Sequence, residues 1–254
     1  PSAPPFFTAN ISASNFGTDV TGLTAGGSVQ VVGSDRFWTV TVNGITNTGA
    51  GVGTIALKVV NVIGIKDGTN TQIAAPSPAV FVGESYTVDQ TVPTVLNIRR
   101  VTAANTNFGA VTWYVTFSED VDGLTGGNFT FNLNGINSPF VVGEQVKPVV
   151  GIPNTWEVTV NTGYGDGTIG IGLNQNLFTV RDIAGNALVT GVDSETYSID
   201  KTPPTVISIK RVAAIPRVNK LASVSWVVTF SETVNGLATS NFGLNPTVTG
   251  ATVS

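Results

Sequence analysis

A phrase repeated at domain spacing is the feature that most constrains this sequence. "YTVDQTVPTVLNIRRV" at residues 86–101 returns as "YSIDKTPPTVISIKRV" at 197–212. The two copies start 111 residues apart, a distance close to the length of one small domain. A second pair, "VTWYVTFSEDVDGLTGGNFTF" at 111–131 and "VSWVVTFSETVNGLATSNFGL" at 224–244, extends the match. The chain is therefore predicted to be a tandem array of similar units.

The first part of the chain carries a more diverged copy of the same unit. "FGTDVTGLTAGGSVQV" (16–31) aligns with "FSEDVDGLTGGNFTFN" (117–132), "FWTVTVNGI" (37–45) with "TWEVTVNTG" (155–163), "GVGTIALKV" (51–59) with "GDGTIGIGL" (165–173) and "IKDGTN" (65–70) with "RDIAGN" (181–186). Three units are predicted from these matches, at residues 1–91, 92–202 and 203–254. Only the second is expected to be complete. The first has no "PTVxxIxRV" phrase and is expected to lack its first strand, and the third is expected to hold only the first strands of a unit.

Strict alternation of apolar and polar residues predicts strands. In "VTWYVTF" the residues Val111, Trp113, Val115 and Phe117 share one face, which is typical of a strand with one side in a core. Seven strands are predicted in the second unit, near 94–101, 110–118, 127–134, 139–150, 155–161, 167–173 and 194–200. With Gly-, Asn- and Asp-rich joins and no helical periodicity, this pattern predicts an all-β fold of two-sheet sandwiches.

The four tryptophans fall on the inward side of this alternation. Trp38, Trp113, Trp156 and Trp226 are therefore predicted to be core residues and not a platform for carbohydrate.

Composition excludes several classes of function. The 254 residues include no His, Cys or Met, so disulfides, zinc–thiolate sites and cysteine or histidine catalysis are absent, and no enzyme is predicted. Twelve basic against sixteen acidic residues give a net charge of −4, which argues against a nucleic-acid partner. No apolar run is long enough for a membrane helix. The lack of oxidisable sulfur favours an extracellular location.

Two local motifs have ordinary interpretations. "GYGDGTIGIG" at 163–172 resembles a phosphate-binding loop, but a strand follows it where such a loop needs a helix, so a hairpin turn is predicted. Asn10 and Asn128 match the glycosylation sequon, a match that is frequent by chance in sequences rich in Asn and Thr.

Four phrases in a fixed order carry a family resemblance. They are "VTFSEDVDGLTGGNFTF", "WEVTVNTGYGDGTIGIGL", "VRDIAGNAL" and "YSIDKTPPTV". In them the chain resembles the bacterial Ig-like tandem repeats of large surface and adhesin-type proteins. The resemblance implies immunoglobulin-like β-sandwiches strung together on the cell exterior as spacers, stalks or binding modules. It also implies that calcium is held at domain junctions in some members.

Acidic residues are predicted to meet at the junctions between units. In a seven-stranded sandwich the second and sixth strands end beside the incoming linker, which places Glu119, Asp120 and Asp182 near Asp89. At the next junction the matching positions are Asp200 and Glu232. Ca²⁺ takes six to eight oxygen ligands, largely from carboxylates and loop carbonyls, so these six residues are candidate ligands. The alternative is that they are solvated turn residues, because "DxAGN" and "SED" are also ordinary turn sequences.

Two functions remain open from the sequence. The first is a structural subunit of an extracellular filament or surface array, in which other copies of the chain complete the partial units by strand addition. The second is a spacer or stalk of a large adhesin whose ligand-binding domain lies elsewhere. In both cases the surface or matrix ligand, if any, is not specified by the sequence.

Overall fold

Strands dominate the computed structural model. It describes residues 11–49, 51–75, 80–174, 179–189, 192–212, 221–244 and 252–253, without the side chain of Glu144. Over these ranges it contains seventeen strands, three single-turn 3₁₀ segments and no α-helix, which confirms the all-β class. None of the described residues forms a helix long and apolar enough to cross a membrane.

Residues 11–91, the N-terminal segment, form three small antiparallel sheets. The strands are β1 (Phe16–Thr21), β2 (Leu23–Ala25), β3 (Val29–Ser34), β4 (Phe37–Val42), β5 (Ile45–Asn47), β6 (Val52–Val59) and β7 (Phe81–Asp89). Strand β6 pairs with β1 and β7, β2 pairs with β5, and β3 pairs with β4. Among the described residues of this segment the buried apolar side chains are Leu23, Ile55 and Ala56, so its core is thin.

Residues 92–202, the middle segment, form two four-stranded sheets. The strands are β8 (Val95–Arg100), β9 (Asn105–Thr106), β10 (Ala110–Phe117), β11 (Phe129–Asn134), β12 (Phe140–Pro148), β13 (Thr155–Asn161), β14 (Gly167–Leu173) and β15 (Tyr197–Ile199). One sheet has the order β12-β13-β10-β8 and the other β11-β14-β15-β9. All pairs are antiparallel except the short β15–β9 pair. The seven predicted strand positions are confirmed, and β9 is an addition.

Both sheets of the middle segment contribute to one hydrophobic core. Alternate residues of β10 and β13 enter it, among them Trp113, Val115, Val158 and Val160, none of which is exposed to solvent. Tyr197 completes the centre of the core, because its ring meets that of Trp113 edge-on at 4.9 Å between centroids. Burying side chains of this size stabilises a fold by about 1.5–3 kcal/mol each.

Residues 203–254, the C-terminal segment, contain one described hairpin. Strand β16 (Val206–Arg211) pairs with β17 (Trp226–Phe230) in the way that β8 pairs with β10. Throughout the described ranges, every strand pairing stays inside one of the three segments. The domain boundaries remain a prediction.

The 3₁₀ turns reveal how the segments correspond. The three turns span Ala13–Asn15, Gly126–Asn128 and Thr239–Asn241. In each, the Oδ1 atom of the closing asparagine accepts the backbone N–H of the residue three positions earlier, at 2.7–2.9 Å. The three turns are therefore one shared structural landmark, in which an asparagine caps the turn and a phenylalanine follows it.

This landmark corrects the alignment of the N-terminal segment. Phe16 starts β1 directly after its turn, as Phe129 starts β11, whereas Phe117 ends β10. Strand β1 pairs with β6 as β11 pairs with β14. The alignment of 16–31 with 117–132 is therefore wrong, since it followed a shared Gly-Leu-Thr phrase and not the capped turn. As a result, described residues 11–91 contain no counterpart of β8 or of β10, where only the first strand was expected to be lacking.

The prediction that all four tryptophans are core residues is only partly right. Trp113 and Trp156 are buried and Trp38 is half-buried, but Trp226 is 48% exposed. The reason is that Trp226 lies on a two-stranded hairpin, which has no second sheet against it among the described residues.

The structure tests the predictions for the glycine-rich stretch and for one of the two glycosylation sequons. Strand β14 follows the glycine-rich stretch, and Gly163 and Gly165 adopt positive φ angles of 58° and 90°, so the predicted turn is confirmed. The turn is not a hairpin, because β13 and β14 lie in different sheets. Asn128 is buried and caps its own turn, which makes it unsuitable for a glycan. Asn10 lies outside the described residues.

Candidate metal centre

Three carboxylates meet where the N-terminal and middle segments join. Asp89 is the last residue of β7, Glu119 follows the end of β10, and Asp182 lies in the loop between β14 and β15. One carboxylate oxygen from each lies within 4.8 Å of the other two. Asp182 is buried, and Asp89 and Glu119 are half-buried. We call these three residues the acidic triad.

Asn186 holds two members of the triad in place. The backbone N–H of Asn186 donates to Oδ1 of Asp182 at 2.8 Å, and its side-chain amide donates to Oδ2 at 2.8 Å. The same amide nitrogen also lies 3.1 Å from the backbone oxygen of Asp89. A single side chain therefore ties the linker to the loop that carries Asp182, which was not foreseen from the "AGN" phrase.

The end of β10 is fixed beside the linker by a reciprocal pair of hydrogen bonds. The backbone N–H of Ser118 donates to the carbonyl oxygen of Thr94 at 2.9 Å, and the N–H of Thr94 donates to the Ser118 hydroxyl oxygen at 2.9 Å. This contact places Glu119 next to the incoming chain. The predicted strand directions are the reason that the three acids converge.

Electrostatics at the triad favour a bound cation. Partial burial raises the pKa of Glu119, and the negative charges of Asp89 and Asp182 raise it further. Within the described residues, the two ion pairs are Arg100–Glu195 and Lys147–Glu157, so neither neutralises the triad. A cation would relieve the mutual repulsion of three carboxylates held this close.

The donor set suits a hard cation. Carboxylate oxygens are the ligands that Ca²⁺ and Mg²⁺ prefer, and a coordination number of six or more leaves room for water or loop carbonyls beside the three side chains. With no His and no Cys in the chain, a metal site built from thiolate or imidazole ligands is excluded. The arrangement is therefore a possible acidic metal-binding triad.

Asp120 is separate from the triad. Its Oδ1 atom accepts the backbone N–H of Asn154 at 3.3 Å, and its side chain lines a shallow depression that includes Trp156. Of the two residues expected to converge with Asp89, only Glu119 belongs to the carboxylates that lie within 4.8 Å of one another.

The second junction repeats part of the arrangement. Asp200 accepts the backbone N–H of Thr202 at 3.1 Å, as Asp89 accepts that of Thr91 at 2.9 Å. Glu232 follows β17 as Glu119 follows β10, and it is exposed. Over the described ranges, neither Asp200 nor Glu232 belongs to a group of three close acidic residues.

A different carboxylate anchors the second linker. The two side-chain oxygens of Asp166 accept hydrogen bonds from the backbone N–H of Lys201, at 2.6 Å, and from the hydroxyl of Thr202. These hydrogen bonds, with that of Thr202 the largest influence, lower the pKa of Asp166. The ammonium group of Lys201 in turn donates a hydrogen bond to the carbonyl oxygen of Gly163 at 2.7 Å. From the sequence, Asp166 is only one residue of the predicted turn at 163–172.

Comparisons with protein-family models, with curated proteins and with solved structures found no match to this chain.

Proposed function

We propose that this chain is a structural protein of the cell exterior, a subunit of a filament or surface array whose copies complete one another by strand addition. One observation carries the proposal: a surface that is buried in the middle segment is repeated in the C-terminal segment, where no described strand covers it. In this proposal the units are immunoglobulin-like sandwiches and the chain performs no catalysis.

Equivalent side chains differ sharply in exposure. Val95 of β8 is 6% exposed and its counterpart Val206 of β16 is 56% exposed. Ile98 is 2% exposed and Ile209 is 61% exposed. Trp113 is fully buried, whereas Trp226 is about half exposed. The repeated sequence thus specifies the same apolar face twice, but among the described residues only the middle segment has strands that cover it.

An uncovered apolar hairpin favours association. Exposed contiguous apolar surface of this kind marks an interaction site in soluble proteins, and a free strand edge is a template for pairing with another chain. Burying each large side chain would contribute about 1.5–3 kcal/mol. The hairpin residues therefore provide a driving force for assembly of copies.

Calcium at the acidic triad is the second part of the proposal. The triad joins the end of the N-terminal segment to two loops of the middle segment, so a bound Ca²⁺ would stiffen that joint. A stiff joint suits a load-bearing array of modules on a cell surface. The charge arrangement of the triad supports this assignment.

Sedimentation velocity with electron microscopy of the full chain tests the assembly. We expect polymeric particles at micromolar concentration, which Ile209→Glu disperses because it places a charge on the uncovered face. Val150→Glu is the matched control, since Val150 is 99% exposed and lies outside that face. A chain that stays monomeric at every concentration refutes the filament and leaves the spacer function.

A further inference from the structure

We propose that each linker of this chain is a rigid extension of the segment before it, so that bending is confined to two residues in each joint. Joint 1 denotes residues 89–94, with its pivot at Val92–Pro93, and joint 2 denotes residues 200–205, with its pivot at Pro203–Pro204. Neither assembly of copies nor a bound cation is required for this property, which lies beyond the proposed function.

Joint 2 is held to the middle segment by Asp166. The carboxylate of Asp166 accepts the backbone N–H of Lys201 at 2.6 Å and the hydroxyl of Thr202. The ammonium group of Lys201 donates to the carbonyl oxygen of Gly163 at 2.7 Å. The first part of this linker is therefore bonded to the segment that it leaves. We call such a set of hydrogen bonds a clamp.

Gln90 forms the clamp of joint 1 with different chemistry. Its amide nitrogen donates to the carbonyl oxygen of Ile45 at 3.1 Å, and its amide oxygen accepts the backbone N–H of Asn47 at 3.2 Å. The side chain thus bonds to the backbone of β5 much as a neighbouring strand would. Joint 1 is therefore bonded to the N-terminal segment, which it leaves.

The two clamps occupy matching positions of the repeat. Gln90 in "VDQTVPT" corresponds to Lys201 in "IDKTPPT", and Val52 in "GVGT" corresponds to Asp166 in "GDGT". Where the N-terminal segment has no carboxylate, it has an amide that reaches the backbone directly. Because two different sets of side chains make the same connection, we infer that the clamp is a property of the joint and not an incidental contact.

The far side of each joint is fixed to the segment that follows. In joint 1, Thr94 and Ser118 exchange the reciprocal pair of hydrogen bonds described above. In joint 2, Thr205 and Ser231 exchange the same pair, both at 2.9 Å. Thr94 and Thr205 are therefore expected to move with the strands that come after them.

Two residues remain between the fixed parts of each joint. Within the described residues, no hydrogen bond reaches Val92 or Pro93, and none reaches Pro203 or Pro204. A proline ring fixes its own φ near −65° and restricts the residue before it to extended conformations. Each pivot therefore keeps few backbone angles that can turn, which limits the orientations of one segment relative to the next.

Joint 1 has a further tie that passes over its pivot. The side-chain amide of Asn186, in the middle segment, lies 3.1 Å from the backbone oxygen of Asp89, at the end of β7. Pro93, in the pivot itself, is buried. Both features are independent of a cation, so calcium at the acidic triad would add to a joint that is already held.

Distances between spin labels measure bending at each joint, in a chain that has no cysteine of its own. Labels at Thr39→Cys and Thr130→Cys span joint 1, and labels at Thr130→Cys and Thr229→Cys span joint 2; all three are exposed strand residues. The readout is the width of the distance distribution from double electron–electron resonance in chelator. Each chain also carries Ile209→Glu, which keeps copies apart.

Asp166→Ala is expected to widen the distribution across joint 2 and to leave that across joint 1 unchanged. Releasing Lys201 and Thr202 lengthens the free stretch from two residues to four. Because the reach of a flexible segment grows as the square root of its length, we expect a widening of about 1.4-fold. Glu84→Ala, which removes an exposed carboxylate of β7, is the control and should change neither width.

Joint 1 needs two changes because two ties hold it. Asn186→Ala removes the tie over the pivot, and Gln90→Ala in the same chain then removes the clamp on β5. We expect the width across joint 1 to rise at each step while the width across joint 2 stays the same. Gln30→Ala, which truncates an exposed glutamine of β3, is the matched control.

Widening that is confined to the joint carrying the substitution supports the clamps. If Asp166→Ala and the double variant leave their own joints as narrow as before, the proposal is overturned. It is equally overturned if either variant widens both joints to the same extent, because the clamps would then not be local. Since Ile209→Glu is present throughout, failure of the clamps and failure of the proposed assembly are separate results.

Discussion

The acidic triad gives the sharpest quantitative prediction. Its three carboxylate oxygens lie within 4.8 Å of one another, so each pair of charges repels by at least about 0.9 kcal/mol at the permittivity of water. Glu119 takes part in two such pairs. Screening by 0.1 M salt, with a Debye length of about 10 Å, reduces the total to about 1 kcal/mol. In chelator at neutral pH, Glu119→Gln is therefore expected to stabilise the middle segment by about 1 kcal/mol.

The pH dependence has a definite sign. Partial burial, with the charges of Asp89 and Asp182, raises the pKa of Glu119 in the folded protein. The folded state then binds the proton more tightly than the unfolded state, so this contribution to stability is fully present below the ordinary pKa of about 4.3 and is lost as pH rises through the raised value. The advantage of Glu119→Gln should accordingly vanish near pH 4 and reach its full size at pH 7.

Calcium is expected to reverse the order of stability of the wild type and Glu119→Gln. A cation that binds only the folded state stabilises it by about 2.7 kcal/mol at a hundred times its dissociation constant. The wild-type chain should gain stability as free Ca²⁺ rises, whereas Glu119→Gln, which lacks one charged ligand, should gain much less. Wild type is then the more stable protein in calcium and the less stable one in chelator.

Urea unfolding followed by tryptophan fluorescence measures these differences, because Trp113 and Trp156 lie in the core of the middle segment. Glu84→Gln, which removes an exposed carboxylate of β7, is the matched control and should change nothing. If Glu119→Gln is less stable than wild type in chelator at pH 7, the carboxylates do not repel one another and the geometry of the triad is wrong. If millimolar Ca²⁺ leaves wild-type stability unchanged, the calcium assignment is refuted.

Three further predictions concern the framework around the site. Tyr197→Phe should cost about 1–3 kcal/mol in urea unfolding, because the buried hydroxyl bonds Thr112, whereas Tyr164→Phe should be neutral; equal effects would contradict this role. Asn128→Ala should cost about 0.5–2 kcal/mol through loss of the turn cap, and an unchanged midpoint would show that the cap is dispensable. Asp166→Asn should speed amide exchange at Lys201, and unchanged exchange would mean that this carboxylate does not hold the linker.

Periodicity predicted the strands because burial of one face is a local property of the sequence. Alternation in "VTWYVTF" and "WEVTVN" located β10 and β13 to within a residue, and counting strand directions brought Asp89, Glu119 and Asp182 to one junction. These results need only the pleat of the strands and the order in which they run.

The wrong predictions concern side chains whose burial or hydrogen bonds depend on residues that are distant in the sequence. Trp226 has the inward parity of Trp113, but parity does not say whether a second sheet is present. Asp120 is not part of the triad and accepts a hydrogen bond from the backbone N–H of Asn154, which no spacing reveals. The alignment of the N-terminal segment failed because capping by Asn15 and Asn128 is a three-dimensional signal. The shared "NF", in which Asn closes each turn and Phe follows it, is the trace of this signal in the sequence.

Hydrogen–deuterium exchange of β17 is the measurement that tests the central claim most directly. If copies complete one another, backbone amides over residues 226–230 in assembled material should be protected to the same degree as those of 110–117, and they should lose that protection when Ile209→Glu disperses the particles. Rapid exchange over 226–230 within intact assemblies would mean that no strand covers the hairpin, and strand addition between copies would be disproved.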